Sequence, residues 1–492
     1  MGQASCLRYV QAGRLHHYRV DWARAMRVTL IQPDTGGKYP PLSLGYLAAF
    51  VAQRGHEARI LDLQVPAQAA RWEELLAESR PDVIGLTSLT PGIRQAGQLA
   101  ARARQLVPEA RLIIGGFHAS MEPEQTLLEN PAIDYLCIGE GEHTLAELCE
   151  RLEAGAGPEG IAGLAWRADC RLKPEIGNRK SEIEFGPPRE RIADLDALPP
   201  PHAFYDLDYY LDAGSFTHQY GYRCASVIAS RGCPFRCRFC SIPGKYIHQS
   251  PGRLADEIAE LLGRGADGVF FRDSTFTVKR HWVLAFCEEV RRRGMRFHWI
   301  ANARPDLVDD ELLGAMKRAG CFALCYGAES GRDHVLAYYG KDYTVADTRR
   351  AVAATKRAGI RAIAYFMLGA PIETRADIEA SHQLARELAA ERTIWKIFAP
   401  LPGCEIYDEL KAKGVPLDFE AIRTDRASFP LVDMTQAELE ARFRQLQAEF
   451  AYARDSRLRA FWRQFRRIRS PRDAWRLAQR VLRSIRGRRG TG

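Results

Sequence analysis

The chain has 492 residues, of which 46% are hydrophobic and 27% are charged, and this composition excludes a disordered, a collagen-like and a disulfide-stapled protein. The length fits about three domains at roughly 150 residues each. The net charge of +9 is uneven, because residues 454–492 hold fourteen arginines against two aspartates and carry +12, which leaves −3 for the rest.

Residues 1–25 are predicted to form an N-terminal arm outside the folded body. They lack the apolar core of a signal peptide, and Met26, just before an apolar strand, is a second candidate for the start of translation. We therefore expect a cytoplasmic protein, in which the twelve cysteines stay reduced and serve as ligands or core residues rather than disulfides.

Residues 26–160 alternate between strand and helix patterns. This alternation predicts a parallel sheet with helices on both faces, a Rossmann-like domain whose ligand binds at the carboxyl ends of the strands. The predicted strands are Arg27–Gln32, Ala58–Leu61, Asp82–Thr87, Arg111–Ile114 and Tyr135–Ile138. Residues 161–215 then read as a linker, with a hairpin of Leu164–Arg167 and Arg171–Lys173 followed by a proline-rich stretch.

A second alternating series occupies residues 216–402. Six strand and helix units in this length predict a partial (βα)6 TIM-type barrel rather than a closed barrel of eight. The α/β fold then ends in a helical region at 403–453 and a basic amphipathic tail at 454–492. The predicted strands are Ala225–Ala229, Gly268–Arg272, Arg296–Ala301, Ala323–Tyr326, Arg361–Phe366 and Trp395–Ala399.

The most informative motif is C-x-x-x-C-x-x-C, formed by Cys233, Cys237 and Cys240 just after the first barrel strand. Three thiolates on one short loop hold three irons of a cubane cluster and leave the fourth iron open to a substrate. A zinc site with His248 as the fourth ligand is the alternative, and three buried structural cysteines are the plain one.

These cysteines, with Phe239 before the last of them, resemble the signature of the radical S-adenosylmethionine (SAM) enzymes. The resemblance covers about residues 220–402. It implies a 4Fe–4S cluster whose open iron binds SAM, and reductive cleavage of SAM to a 5′-deoxyadenosyl radical. It also implies an external electron donor of the flavodoxin or ferredoxin type.

The same resemblance implies SAM contacts at the ends of the later strands. Asp273 and Ser274 stand where the family contacts the SAM amino group, although the common Gly-Gly-Glu is absent. Arg304 follows the third strand and is the candidate partner of the SAM carboxylate. The candidates for the ribose hydroxyls and the adenine are Glu329, Ser330 and Gly369.

The first domain resembles the cobalamin-binding domain that precedes some radical SAM barrels. The family's His-containing motif after the first strand has no histidine here, where residues 34–38 read DTGGK, so we expect cobalamin to bind without that lower ligand; His118 is the alternative ligand. A Rossmann-like domain with no ligand, or with another one, is the plain alternative, and the absent G-x-G-x-x-G argues against a nicotinamide. The candidate cobalamin residues are Thr87, Ser88, Gly115, Gly116, Glu140 and Gly141.

The tail carries Leu458, Phe461, Trp462 and Phe465 on one helical face and arginines on the others. Three uses fit this pattern: contact with an anionic membrane surface, packing on the barrel and, least favoured, nucleic-acid binding. The longest charge-free apolar runs, Val83–Ile93 among them, fall short of the roughly 18 residues of a membrane span.

The leading interpretation is a cobalamin-dependent radical SAM C-methyltransferase acting on a small-molecule or lipid-like substrate. Oxygen-independent cyclisation or ring rearrangement with the same cofactors, as in the anaerobic magnesium-protoporphyrin ester cyclase, is the second enzyme interpretation. A tRNA methylthiotransferase is disfavoured, because Cys6, Cys137 and Cys149 do not form that family's second cysteine set. A non-enzymatic iron–sulfur redox sensor is the remaining alternative. The expected location is the cytoplasm, at the inner face of the membrane if the tail binds lipid.

Overall fold

The computed structural model describes residues 7–11, 14–18, 25–36, 39–168, 183–213, 220–242, 244–419 and 422–450. The N-terminal arm contains a two-stranded antiparallel hairpin of β1 and β2, Leu7–Gln11 and Arg14–Tyr18. The basic tail at 454–492 lies outside the described residues. Among the described residues, no helix has both the length and the apolar character needed to cross a membrane.

The first large sheet has seven strands in the order β4-β3-β5-β6-β7-β8-β9. Pairing is parallel from β4 to β7 and antiparallel for β8 and β9, so the first five strands end at one edge, which we call the first carboxyl edge. The strands are β3 Arg27–Gln32, β4 Glu57–Asp62, β5 Val83–Thr87, β6 Arg111–Gly115, β7 Tyr135–Cys137, β8 Leu164–Arg167 and β9 Ile183–Phe185.

Both faces of this sheet are buried, as the Rossmann-like prediction requires. Neighbouring residues of one strand enter opposite cores: Leu112 and Ile114 pack on one face and Ile113 on the other. The covering helices are α1 Leu42–Gln53, α2 Pro66–Ala69, α3 Trp72–Ser79, α4 Ile93–Leu106, α5 Phe117–Met121, α6 Pro123–Glu129 and α7 Glu142–Glu153.

The predicted linker hairpin is wrong in its pairing. Strand β8 pairs with β9, Ile183–Phe185, on one side and with β7 on the other, so it extends the first sheet. Residues 171–173, the predicted partner, lie outside the described residues. The misassignment arose because a short local turn is the simplest partner for an isolated strand, whereas the true pairing spans a long connection.

The second large sheet has six parallel strands in chain order, and β10 and β17 form its two edges, so the predicted incomplete barrel is confirmed. A small antiparallel pair, β11 and β12, follows the first strand. The strands are β10 Cys224–Val227, β11 Ser230–Arg231, β12 Ile247–His248, β13 Gly268–Phe271, β14 His298–Ala303, β15 Cys321–Glu329, β16 Arg361–Leu368 and β17 Arg392–Ile397.

Helices cover the outer face of this sheet, and aromatic and aliphatic side chains fill its inner face. Phe271 and Trp299 join the outer core, while Phe270 and Ile300 point to the inner one. The helices are α8 Leu207–Ala213, α9 Pro251–Gly263, α10 Arg280–Arg292, α11 Asp310–Arg318, α12 Asp333–Tyr338, α13 Val345–Arg357, α14 Arg375–Leu388, α15 Glu405–Ala412 and α16 Gln436–Glu449.

Candidate active site

The cysteine loop lies between β11 and β12, at the carboxyl ends of the second sheet's strands, which we call the second carboxyl edge. Cys233, Cys237 and Cys240 are half-buried free thiols. Gly232 forces the chain's path, since its φ is +77° and a Cβ would lie 1.9 Å from the Lys245 carbonyl oxygen.

The three thiols are close enough to influence one another electrostatically. Burial raises the pKa of Cys240 to about 11, and nearby Cys237 and Cys233 add to the rise. Burial also raises the pKa of Cys237, and the positive charges of Lys341 and Arg304 oppose that rise. Within the described part of the chain, no three His, Cys, Asp or Glu side chains converge as a single ion would require. A 4Fe–4S cluster does not need its thiolates to converge on one point, because each thiolate binds its own iron.

Lys341 is a residue that the sequence analysis missed. It follows α12, and its Nζ lies 3.0 Å from Glu329 Oε1, with the side chains only 9% and 12% exposed. The same nitrogen lies 4.9 Å from the centre of the Phe239 ring. Burial lowers the pKa of Lys341, but Glu329, Tyr343 and Cys237 together raise it above its usual value, so the ammonium keeps its charge beside the cysteines. Nothing in the local sequence marks this lysine.

Glu329 is the last residue of β15, because that strand runs three residues beyond its predicted end. Its φ of 58° places a non-glycine residue in the left-handed region, at a register shift between β15 and β16. Such backbone strain persists only where the surroundings impose it, and here it sends the carboxylate to Lys341. Glu329 therefore lies near Cys237 with a cation already beside it, and its contact with the SAM ribose hydroxyls stays a prediction.

Asp273 and Arg304 lie at the same edge and are both buried. Asp273 accepts hydrogen bonds from the hydroxyl of Ser230 and from the Ala229 N–H, the latter at 3.2 Å, and burial raises its pKa to about 6. The Arg304 guanidinium stacks 3.6 Å from the centre of the Phe235 ring, within the cysteine loop, and donates two hydrogen bonds to Asp306. Its Nη1 is buried and has no hydrogen-bond partner among the residues that the structure describes, so one donor remains for an anionic ligand.

Two of the predicted SAM residues are less well placed. Ser274 is exposed. The Ser330 hydroxyl is buried, lies 3.3 Å from the Ser381 Oγ of α14 and accepts from the Arg332 N–H, so it is engaged away from the cysteines. A strand-end serine looks the same in sequence whichever way its side chain turns.

Gly369 and Phe239 have clear structural contacts. Gly369 has a φ of +96°, and its N–H donates to Glu373 Oε2. Glu373 is buried, and its other oxygen has no hydrogen-bond partner within the described residues. Burial raises the pKa of Glu373 to about 8. Phe239 packs edge-on against Tyr339, with ring centres 5.1 Å apart.

The first carboxyl edge contains a backbone cradle at the ends of β5 and β6. The Ser88 hydroxyl is buried and finds no hydrogen-bond partner in the described ranges of the chain, while Thr87 and Gly115 are half-buried. Gly116 has a φ of +103°, and a Cβ there would lie 2.6 Å from the Ser88 carbonyl oxygen. An unsatisfied hydroxyl beside a glycine that admits no side chain fits close approach of a ligand to the backbone.

Glu140 and its neighbour Glu142 connect the two sheets. Arg231, two residues before Cys233, donates to Glu142 Oε1 at 2.6 Å and contacts Glu140 Oε1 at 3.4 Å. The Ile192 N–H donates to the other Glu140 oxygen at 2.7 Å. The Glu140 carboxylate is thus engaged by protein groups, and its role in holding a ligand stays a prediction. Gly141 is the N-cap of α7, which begins at Glu142.

His118 is buried against protein groups. Its Nδ1 lies 3.3 Å from the Thr90 hydroxyl, its ring packs edge-on against Phe419, and burial lowers its pKa. This environment matches a packed core histidine better than a metal ligand. A cavity of about 830 Å³ lies at the opposite edge of the first sheet, beside Arg27 and Asp82, where ligands of parallel sheets do not bind.

Comparison with known proteins gives one family match for the region of each large sheet. The family model described as B12 binding domain matches residues 30–149, and the Radical SAM superfamily model matches residues 227–385. An uncharacterized methyltransferase of Pyrococcus horikoshii is 29% identical over 412 residues, which are 80% of this chain and 85% of that protein. The anaerobic magnesium-protoporphyrin IX monomethyl ester cyclase of Rubrivivax gelatinosus is 28% identical over 417 residues, 80% of this chain and 72% of that protein.

Among solved structures, the radical S-adenosylmethionine methyltransferase TsrM of Kitasatospora setae, with cobalamin and a 4Fe–4S cluster bound, superposes with a TM-score of 0.65. It is 21% identical, and the match covers 79% of this chain and 78% of that one, so it shows a shared fold. The two family models match one sheet each. The chain therefore carries a B12-binding domain followed by a radical SAM domain, and it is similar to methyltransferases and to a cyclase over most of its length.

Proposed function

We propose that this enzyme transfers a methyl group to a carbon atom of a small-molecule substrate held between its two sheets. The observation that carries the proposal is the Arg231–Glu142 ion pair, which joins the cysteine loop directly to the first carboxyl edge. When bound, the cluster with SAM supplies a radical that removes a hydrogen atom, and cobalamin supplies the methyl group. A substrate between the two edges is within reach of both.

In this proposal, residues at the second carboxyl edge bind the cluster and SAM. Cys233, Cys237 and Cys240 hold three irons, and Lys341 lowers the cost of keeping the thiolates charged in a half-buried loop. The free Nη1 of Arg304 is the donor for the SAM carboxylate. Asp273 and Glu329 supply acceptors for the amino and hydroxyl groups.

On the cobalamin side, the Ser88 hydroxyl and the Gly116 backbone form the contact surface. We infer that a bound cobalamin would receive no histidine ligand from this domain. The turn after β3 contains none, and His118 is engaged with Thr90 and packed against Phe419.

The experiment is a turnover without substrate. The full chain is purified without oxygen, iron and sulfide are restored, and hydroxocobalamin, SAM and a strong reductant are added. We expect bound cobalamin together with S-adenosylhomocysteine and 5′-deoxyadenosine, because methylating cobalamin needs no substrate. Cys237→Ala is expected to lose the cluster and all 5′-deoxyadenosine, whereas Cys224→Ala, the control at another half-buried cysteine, keeps both. A Cys237→Ala variant that cleaves SAM normally would refute the cluster assignment.

Cyclisation or ring rearrangement is the second candidate, because the Rubrivivax cyclase aligns over 80% of this chain. It predicts 5′-deoxyadenosine without S-adenosylhomocysteine in the same assay. Neither product, with the cluster present, would instead favour a redox sensor. We also propose an external flavodoxin-type or ferredoxin-type electron donor, and membrane contact through the basic tail.

A further inference from the structure

Arg272 is a cation at the inner face of the second sheet. It directly follows β13, and its guanidinium carbon lies 4.0 Å from the centre of the Phe270 ring, which belongs to the inner core. Its Nε donates to the Ser226 hydroxyl of β10 at 2.9 Å. From the first sheet's side, the ring of Tyr39 lies 4.9 Å from the same carbon. Arg272 therefore stands where the two sheets face each other.

Among the described residues, no carboxylate accompanies this cation. Arg272 forms no ion pair with an Asp or Glu of that part of the chain, and the groups whose charges act on it are Tyr39, Tyr365, Cys224 and Cys325. Burial accordingly lowers its pKa to about 10. Arg272 is half-buried, and a charge that is partly withdrawn from water without an opposite charge beside it is costly.

The contrast with Arg231 shows what pairing does. Arg231 is also largely buried, but burial, which lowers its pKa, is outweighed by Glu142 and Glu140, so its pKa lies above the usual value. Arg272 lacks such compensation. Its two terminal nitrogens have no hydrogen-bond partner among the described residues, and neither is sealed from contact.

We propose that Arg272 binds an oxyanion group of the substrate, a carboxylate or a phosphate-type group, between the two sheets. The planar guanidinium is held by Phe270 and Ser226, so its two terminal nitrogens form a fixed fork that matches two oxygens of such a group. The bound anion supplies the missing counter-charge. The inference rests on the proposed function only in taking this cleft as the place of the substrate.

The test measures anion binding by the full chain without SAM, cobalamin or reductant. Inorganic phosphate and acetate are titrated separately at constant ionic strength, set with chloride, and the melting temperature is recorded. We expect saturable stabilisation by at least one of the two anions. The arm that saturates at the lower concentration identifies the phosphate or the carboxylate class.

Three variants decide the role of Arg272. Arg272→Met is expected to weaken binding at least tenfold. It is also expected to raise the melting temperature without anion, because it removes a half-buried charge that has no opposite charge beside it among the described residues. Arg272→Lys keeps the charge without the fork and is expected to weaken binding several-fold. Arg280→Met, which removes an exposed arginine at the start of α10, is the control and is expected to bind like the wild type.

If Arg272→Met binds the anions with unchanged affinity, whether or not it loses stability, Arg272 is only a packing residue and the proposal is overturned. If Arg272→Met does not fold, unchanged affinity in Arg272→Lys overturns it in the same way. The outcome is independent of methyl transfer. A chain that makes no S-adenosylhomocysteine but binds phosphate through Arg272 would refute the proposed reaction and support the anion site.

Discussion

The ion pair between Arg231 and Glu142 offers a quantitative test of how the two sheets are held together. The pair is close, at 2.6 Å, and its side chains are only 15% and 5% exposed. Arg231 also lies 5.1 Å from the centre of the Tyr46 ring. Arg231→Met removes the cation and leaves Glu142 buried and unpaired. Breaking such a pair costs about 3–5 kcal/mol of unfolding free energy, mostly through the uncompensated charge.

The partner substitution is expected to cost less. In Glu142→Gln the amide oxygen still accepts from Arg231, and Glu140 still neutralises the cation from 3.4 Å, so we expect a loss of about 1–2 kcal/mol. The double variant Arg231→Met/Glu142→Gln should cost less than the sum of the single losses, by at least about 1 kcal/mol, because the groups contact each other.

The measurement is urea unfolding followed by tryptophan fluorescence, on the chain without cofactors. Arg280→Met is the matched control, since Arg280 pairs with Glu311 on the surface and such pairs contribute about 0–1 kcal/mol. If Arg231→Met shifts the midpoint no further than Arg280→Met, the ion pair does not hold the sheets together. The iron content after iron and sulfide are restored is a second readout, because Arg231 lies two residues before Cys233 at the start of the cysteine loop.

Three further outcomes are expected. Lys341→Met removes a cation beside Cys237, so the cluster's midpoint potential should become more negative in an EPR-monitored titration. The control Lys413→Met changes an exposed lysine and should leave the potential unchanged. Equal potentials in the Lys341→Met variant and the wild type would contradict the role of Lys341. Burial raises the Glu373 pKa from 4.5 to about 8, so the folded state holds a proton that the unfolded state loses, and stability falls as pH rises through that range. Glu373→Gln should therefore gain stability relative to the wild type between pH 5 and pH 8, and parallel urea midpoints would refute the argument. Ending the chain before Arg454 should move the protein from anionic liposome pellets to the supernatant; unchanged partitioning would remove the membrane proposal.

The sequence by itself determined the features that depend on neighbours along the chain. Cys233, Cys237 and Cys240 lie within eight residues, so their spacing alone predicts a shared inorganic cluster. Strand and helix alternation is equally local, since it reflects the periods of buried side chains, and it predicted two parallel sheets and the open barrel.

Only the tertiary structure decided which charges meet across the chain. Lys341 comes to Cys237, Arg231 comes to Glu142, and Arg272 meets no carboxylate in the described part of the chain, although each is an ordinary basic residue in its local sequence. The pairing of β8 with β9 was missed for the same reason. The effect of a charged side chain depends on its burial and on the nearest opposite charge. Both are set by elements that come from distant parts of the chain and pack together.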